Sequence, residues 1–249
     1  MQYVGGKQKS GGAQTAGVIN TLVKRRKLRT VAEPFCGGLS ITYRLKAPQV
    51  HASDGCEALI TLYRRMQQGW RPPDLLTREE WERLRAANDP SDPMTAFAGF
   101  GCSRSGGWFS SFIEFNRRNY TDIPAALAAR ESLENKLARC KLVGFKAGDY
   151  RELVEVLAAD LVYCDPPYKG TIPYKAIVEP FDSDAFWAWA RSTSERRLVM
   201  VSERVAPEDF VPLLTFSLQN RLVTRAGGER RVEHAFVHES QLETWREAL

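Results

Sequence analysis

Long apolar runs are missing from this chain. No stretch of about 18 consecutive apolar residues occurs in its 249, so no membrane-spanning helix is expected. Cysteine is sparse and odd in number: Cys36, Cys56, Cys102, Cys140 and Cys164 form no CxxC pair. A disulfide framework and a zinc site are therefore not expected, and a reducing, cytoplasmic setting is. The three histidines, His51, His234 and His238, are scattered and take no catalytic role, and no metal site is expected. Neither the dinucleotide fingerprint GxGxxG nor a phosphate loop ending in Gly-Lys-Ser/Thr is present. Residues 1–12 are polar and glycine-rich and lack the apolar stretch of a secretory signal. There is no internal repeat and no low-complexity tract.

What remains is ordinary globular composition, 43% hydrophobic and 26% charged. A chain of this length buries a full core without metals or disulfides. The 35 basic against 30 acidic side chains leave a net charge of +5, which suits a polyanionic partner without requiring one.

Along the chain, a helix is expected over 13–26, ending in Lys24, Arg25, Arg26 and Lys27, where basic residues oppose the negative end of the helix dipole. A strand over 30–35 runs into Cys36-Gly37-Gly38, and a helix start follows over 40–45. A second strand over 50–53 ends at Asp54-Gly55, and 57–67 reads as helical. Strand, glycine turn, helix, strand and acidic turn make the opening of a doubly wound α/β sheet. The rhythm then breaks at Arg71-Pro72-Pro73. Helices are expected over 77–87, 93–100 and 124–138, with a loop region rich in Gly, Ser, Arg and aromatics over 99–120. Strands resume at 141–145, 161–164 and 198–201, with helices over 150–157 and 182–192. Segments 216–224 and 232–237 pair as closing antiparallel strands around Gly227-Gly228. The expected organisation is one α/β domain (1–70 and 142–249) carrying a mostly helical insert over 71–141.

The sharpest local feature is Asp165-Pro166-Pro167-Tyr168, directly after the apolar strand 161–164. A specified four-residue string occurs by chance in roughly one chain in a thousand of this length. Its place is the carboxyl edge of an α/β sheet, where ligands bind. The tetrapeptide suits an exocyclic amine on a planar base. The Asp165 carboxylate accepts one amino hydrogen and the Pro166 carbonyl the other, while two prolines hold the backbone extended. Tyr168 offers a ring face for stacking. With both hydrogens held, the nitrogen lone pair turns toward an electrophile.

The second feature is Glu33-Pro34-Phe35-Cys36-Gly37-Gly38-Leu39-Ser40, a glycine turn between strand and helix that lets a ligand lie against backbone. Alone it also reads as a plain tight turn. Asp54, at the end of the next strand, stands where an acid grips ribose hydroxyls, although a lone aspartate there is more often a turn or helix cap. Cys36 and Cys164 flank the motifs as small buried fillers.

Together these features resemble the DNA adenine-N6 methyltransferases of the Dam type, including those carried by phages. Tyr3-Val4-Gly5-Gly6-Lys7 is similar to that family's N-terminal motif, Phe35-Cys36-Gly37-Gly38-Leu39-Ser40 to its FxGxxS turn, and Asp165-Pro166-Pro167-Tyr168 to its DPPY. The order of glycine motif, insert and DPPY is that of its alpha group. The resemblance implies a Rossmann-like fold and S-adenosylmethionine as methyl donor. Tyr3, Lys7, Asp54 and Asp165 would contact it, with Phe35, Gly37, Gly38 and Ser40 beneath its methionine part and Asp149 toward its adenine. Asp149 reads equally as a helix cap. Catalysis would rest on Asp165, Pro166, Pro167 and Tyr168, acting on a flipped adenine of duplex DNA. No Pro-Cys dipeptide is present, which sets aside cytosine-C5 chemistry. DNA contact is expected on the insert at Arg104, Trp108, Arg117, Arg118 and Tyr120. The competing readings are cytosine-N4 or RNA-adenine amino methylation, and a DNA-binding module without turnover. The expected assembly is a monomer or weak dimer.

Overall fold

A computed structural model describes residues 11–118, 121–168, 181–218 and 231–249, with backbone alone at 117, 118, 217, 218 and 231. The expected Tyr3, Lys7 and Tyr120 contacts lie outside the described residues, as do Gly227-Gly228.

The elements run in chain order as α1 (Gly12–Arg26), β1 (Thr30–Glu33), β2 (Gln49–Asp54), α2 (Glu57–Gln67), α3 (Arg78–Ala87), α4 (Pro93–Ala96), β3 (Phe115–Arg118), β4 (Thr121–Pro124), α5 (Ala125–Leu137), β5 (Val143–Ala147), α6 (Val154–Ala158), β6 (Leu161–Cys164), α7 (Ser183–Ser194), β7 (Leu198–Glu203), β8 (Phe210–Leu218), β9 (Arg231–His238) and α8 (Leu242–Arg246). Seven strands form one sheet in the order β5-β2-β1-β6-β7-β9-β8, and β3 and β4 form a separate hairpin. β5, β2, β1, β6 and β7 are parallel, while β9 runs antiparallel to both β7 and β8. This is a Rossmann-like α/β sheet, and the connection order reverses between β1 and β6, the switch point where such sheets bind ligands.

The central strands are short and apolar because both faces are covered. On β6, Leu161 and Tyr163 join a core with α1 and α8, whereas Val162 and Cys164 face the opposite core with α6 and α7. β7 divides likewise, Met200 to one side and Val199 and Val201 to the other. A third core joins Ala52 of β2 and Phe145 of β5 to α2, α3, α4 and α5, so the 71–141 segment shares its interior with the sheet's flank. α3 is capped by Thr77, whose hydroxyl accepts the Glu80 amide, and α7 by Asp182, which accepts the amides of Asp184 and Ala185. The basic end of α1 is partly paired, Arg26 forming an ion pair with Glu247. No helix among the described residues is long and apolar enough to cross a membrane.

Several elements differ from expectation. Residues 37–41 turn tightly instead of beginning a helix, with Gly37 and Leu39 at positive φ, and only Thr42–Arg44 winds, as a 3-10 turn. The helix expected over 93–100 stops at Ala96 and widens into a π turn, Phe97–Gly101. There the Trp108 and Phe109 rings lie so close to Gly99 that an added Cβ would stand 2.8 and 2.9 Å from them. The helix expected over 150–157 begins only at Val154, because the Asp149 carboxylate accepts the Arg151 amide at 2.8 Å and closes a turn first. The hairpin β3–β4 lies inside what reads as loop. β8 starts earlier than expected, at Phe210, and is irregular between Pro212 and Leu214, as suits proline on an edge strand.

Candidate active site

Three adjacent strands, β2, β1 and β6, deliver acidic residues to the carboxyl edge of the sheet: Asp54 ends β2, Glu33 ends β1 and Asp165 follows β6. Asp54 is buried and bound through both oxygens. One carboxylate oxygen accepts the Gly37 amide at 2.9 Å and the other the Cys56 amide at 3.0 Å, tying the end of β2 to the glycine turn. The Cys36 amide donates to the Ser53 carbonyl at 2.9 Å. The Tyr63 hydroxyl of α2 donates to the Gly37 carbonyl at 2.6 Å, and the Lys136 ammonium of α5 donates to the Gly38 carbonyl. Four contacts from three directions thus hold one turn.

The electrostatics follow from burial. Desolvation pushes the Glu33 carboxyl well above its ordinary range. The charges of Asp165 and Asp54 add to that, and the Thr42 hydroxyl, donating at 2.6 Å, opposes it. Desolvation also raises Asp54 against the pull of its two amides. Lys136 is pushed down to about 8, by burial first and then by the like charge of Arg44. The thiols of Cys36 and Cys164 are buried and pushed well up, which makes them packing groups without nucleophilic character.

Beyond β6, Pro166 is buried and Asp165 and Tyr168 are partly buried. The Tyr168 hydroxyl points to the Asp165 carboxylate at 3.4 Å, and burial followed by the Asp165 charge raises its pKa. The Arg204 guanidinium lies 5.3 Å from the Tyr168 ring centroid. Beneath, the hydroxyls of Tyr163 and Ser202 meet at 2.8 Å and link β6 to β7.

The fold therefore gathers Gly37, Gly38, Ser40, Asp54 and Asp165 around one edge. Phe35 turns its ring into an aromatic cluster, 5.2 Å from Tyr150 and 5.8 Å from Phe181. Asp149 grips Arg151 with both oxygens. In the insert, Arg104 is exposed, whereas Trp108 packs its ring 4.8 Å from Phe100 and 5.0 Å from Phe109. Arg117 and Arg118 lie on β3, flanking the hairpin tip. Tyr63, Lys136 and Arg204 were not singled out by the sequence. Each acts through a distant contact, and no local motif marks it.

Among the described residues, the buried hydroxyls of Ser40 and Ser53 have no hydrogen-bond partner. An unpaired buried hydroxyl is costly, and one in the turn and one beside Asp54 leave polar capacity for a ligand that carries both charged and hydroxyl groups. A nucleoside-linked amino acid such as S-adenosylmethionine fits that donor set.

Residues 3–90 match the family model of D12 class N6 adenine-specific DNA methyltransferases. That span holds the glycine turn and Asp54, and ends before the 165–168 motif. Among solved structures, the chain is similar to the PH1948 protein of Pyrococcus horikoshii, a candidate RNA methyltransferase, at 12% identity and TM-score 0.40, covering 91% of this chain and 82% of that one. It is also similar to TrmN from Thermus thermophilus at 12% identity and TM-score 0.36, covering 91% of this chain but only 48% of that one, about half its length.

Proposed function

We propose that this protein is a DNA adenine-N6 methyltransferase using S-adenosylmethionine. The observation that carries the reading is the position of Asp165-Pro166-Pro167-Tyr168: it leaves the buried β6 at the switch point, beside the turn that ends β1. The family match over 3–90 supports the donor side of the site.

On this reading Ser40, the turn at Gly37 and Gly38, and Asp54 hold the donor, with Tyr3, Lys7, Phe35 and Asp149 as further contacts on the family resemblance. The donor supplies a methyl group already activated by its sulfonium charge. The carboxylate of Asp165 and the carbonyl of Pro166 accept the two N6 hydrogens. Pro167 keeps the strand end extended, and Tyr168 stacks on the adenine ring. Arg204 covers one face of that tyrosine. The protein's main contribution is alignment, the term a rigid site supplies best. The adenine must leave its stack, at a cost of a few kcal/mol, offset by contacts from residues 71–141 to duplex DNA. Arg104, Arg117, Arg118, Tyr120 and Trp108 belong to that segment.

Methyl transfer from labelled S-adenosylmethionine to duplex DNA, single-stranded RNA and protein tests the assignment, with nucleoside digestion to identify the product. N6-methyladenine from duplex DNA is expected. Label confined to RNA, protein or N4-methylcytosine would overturn it.

A further inference from the structure

Lys136 sits on the last turn of α5, 98 residues from the glycine turn, yet its ammonium donates to the Gly38 carbonyl. It is only 7% exposed. A buried ammonium is costly unless an anion completes it. Among the described residues Lys136 forms no ion pair, and the Gly38 carbonyl is the one hydrogen-bond partner shown. The charges that reach it do not supply the missing partner. Arg44 repels it, and Cys140 and Glu33, which would favour its charged form, are themselves pushed toward their neutral forms by burial. Two residues along the same turn, the buried Ser40 hydroxyl lacks a hydrogen-bond partner among the described residues. Lys136 also borders a cavity of about 440 Å³ with Tyr43, Glu131, Asn135 and Arg139, so this lysine is not sealed in by its neighbours, and Glu131 forms no ion pair with it among the described residues.

We propose that Lys136 receives the α-carboxylate at the methionine end of the donor, with the Ser40 hydroxyl as its second contact. The inference rests on the reading given under Proposed function and adds a binding residue to it. An ammonium pointed at a turn offers a carboxylate what the turn's own amides lack, a full opposite charge in a dry setting. The residue belongs to the 71–141 segment, so the same side chain ties donor binding to the position of the region expected to meet DNA.

The test is calorimetric titration of the full chain, without DNA, with two probes: S-adenosylmethionine and decarboxylated S-adenosylmethionine. The wild type should bind the first at least about tenfold more tightly than the second. Lys136→Met should lose about tenfold to a hundredfold more affinity for S-adenosylmethionine than for the decarboxylated probe, whose smaller loss reflects the missing tie to Gly38. Lys136→Arg, which keeps the charge, should recover part of the loss and serves if Lys136→Met does not fold. Equal losses for both probes, or no loss for either, would assign Lys136 a structural role and overturn this inference alone. A wild type that binds neither probe would overturn the methyltransferase reading and this inference with it.

Discussion

The Tyr63 hydroxyl meets the Gly37 carbonyl at 2.6 Å, so a residue on α2 fixes the turn that ends β1. Tyr63 is fully buried, and its ring also packs 5.3 Å from Phe145 of β5. Tyr63→Phe keeps that packing and removes only the donor, leaving a buried carbonyl short of a partner. The expected cost is about 1–3 kcal/mol of folding stability, read from urea unfolding. Donor affinity should fall as well, because the turn loses one of its four ties. A variant as stable as the wild type would show that solvent reaches the Gly37 carbonyl.

Asp165→Ala removes one of the two acceptors for the amino group. Methylation should drop by about a hundredfold to a thousandfold, the range for deleting one polar group that acts in the transition state. DNA affinity should change little, because phosphate contacts dominate it. Single-turnover methylation and filter binding on the same duplex separate the two effects. Unchanged methylation would remove Asp165 from the chemistry.

Tyr168 and Arg204 make a related case. With the guanidinium 5.3 Å from the ring centroid, one ring face is already covered. Tyr168→Ala should weaken capture of the flipped base by about 1–3 kcal/mol, the worth of one base–aromatic stack. Fluorescence of 2-aminopurine at the target position reads this directly, since an extruded base is unquenched until it stacks. Arg204→Ala should change the same signal less, by freeing the ring to turn. Equal signals from all three proteins would refute stacking on Tyr168.

How far the chain alone discloses these parts follows from how local they are. Asp165-Pro166-Pro167-Tyr168 is contiguous and follows an apolar strand, so both the motif and its position at a sheet edge could be read directly. β1, β2, β6 and β7 were equally legible, since each is a short apolar run ended by an acidic or polar residue. The β3–β4 hairpin was not, because Phe115-Asn116-Arg117-Arg118 carries no apolar alternation. The π turn at Phe97–Gly101 depends on rings from Trp108 and Phe109 crowding Gly99, a tertiary effect on a helical sequence. Lys136 was missed for the same reason: at the end of an amphipathic helix it looks like a solvated lysine, and only the fold brings it to Gly38.

That crowding is itself testable. A Cβ at residue 99 would stand 2.8 Å from the Trp108 ring, in the insert's interior. Gly99→Ala should destabilise by about 1–3 kcal/mol, as overpacking does. Because Trp108 is held from Phe100 and Phe109 as well, the strain should shift its ring and with it the packing of those two rings. Urea unfolding and the near-ultraviolet dichroism of the tryptophans measure both. An unchanged midpoint would mean that the two rings leave room at Gly99.

Glu33 yields a pH dependence whose sign is fixed by its burial. Its folded-state pKa lies well above 4.5, its ordinary value, with desolvation the leading cause and the charges of Asp165 and Asp54 adding to it. Below about pH 4.5 the carboxyl is protonated whether the chain is folded or not, and its contribution is fully present. As pH rises past that point the unfolded chain releases the proton while the folded chain keeps it. Stability is therefore lost progressively until the raised folded value is passed. Glu33→Gln cannot ionise, and its amide oxygen still accepts from Thr42, which donates to Glu33 at 2.6 Å. The variant should match the wild type near pH 4.5 and become increasingly more stable than it toward pH 8. Asp54 titrates in the same direction in both proteins. Urea unfolding of the pair across that pH range checks the slope. A difference that does not grow with pH would mean that Glu33 ionises in the folded protein as easily as in water.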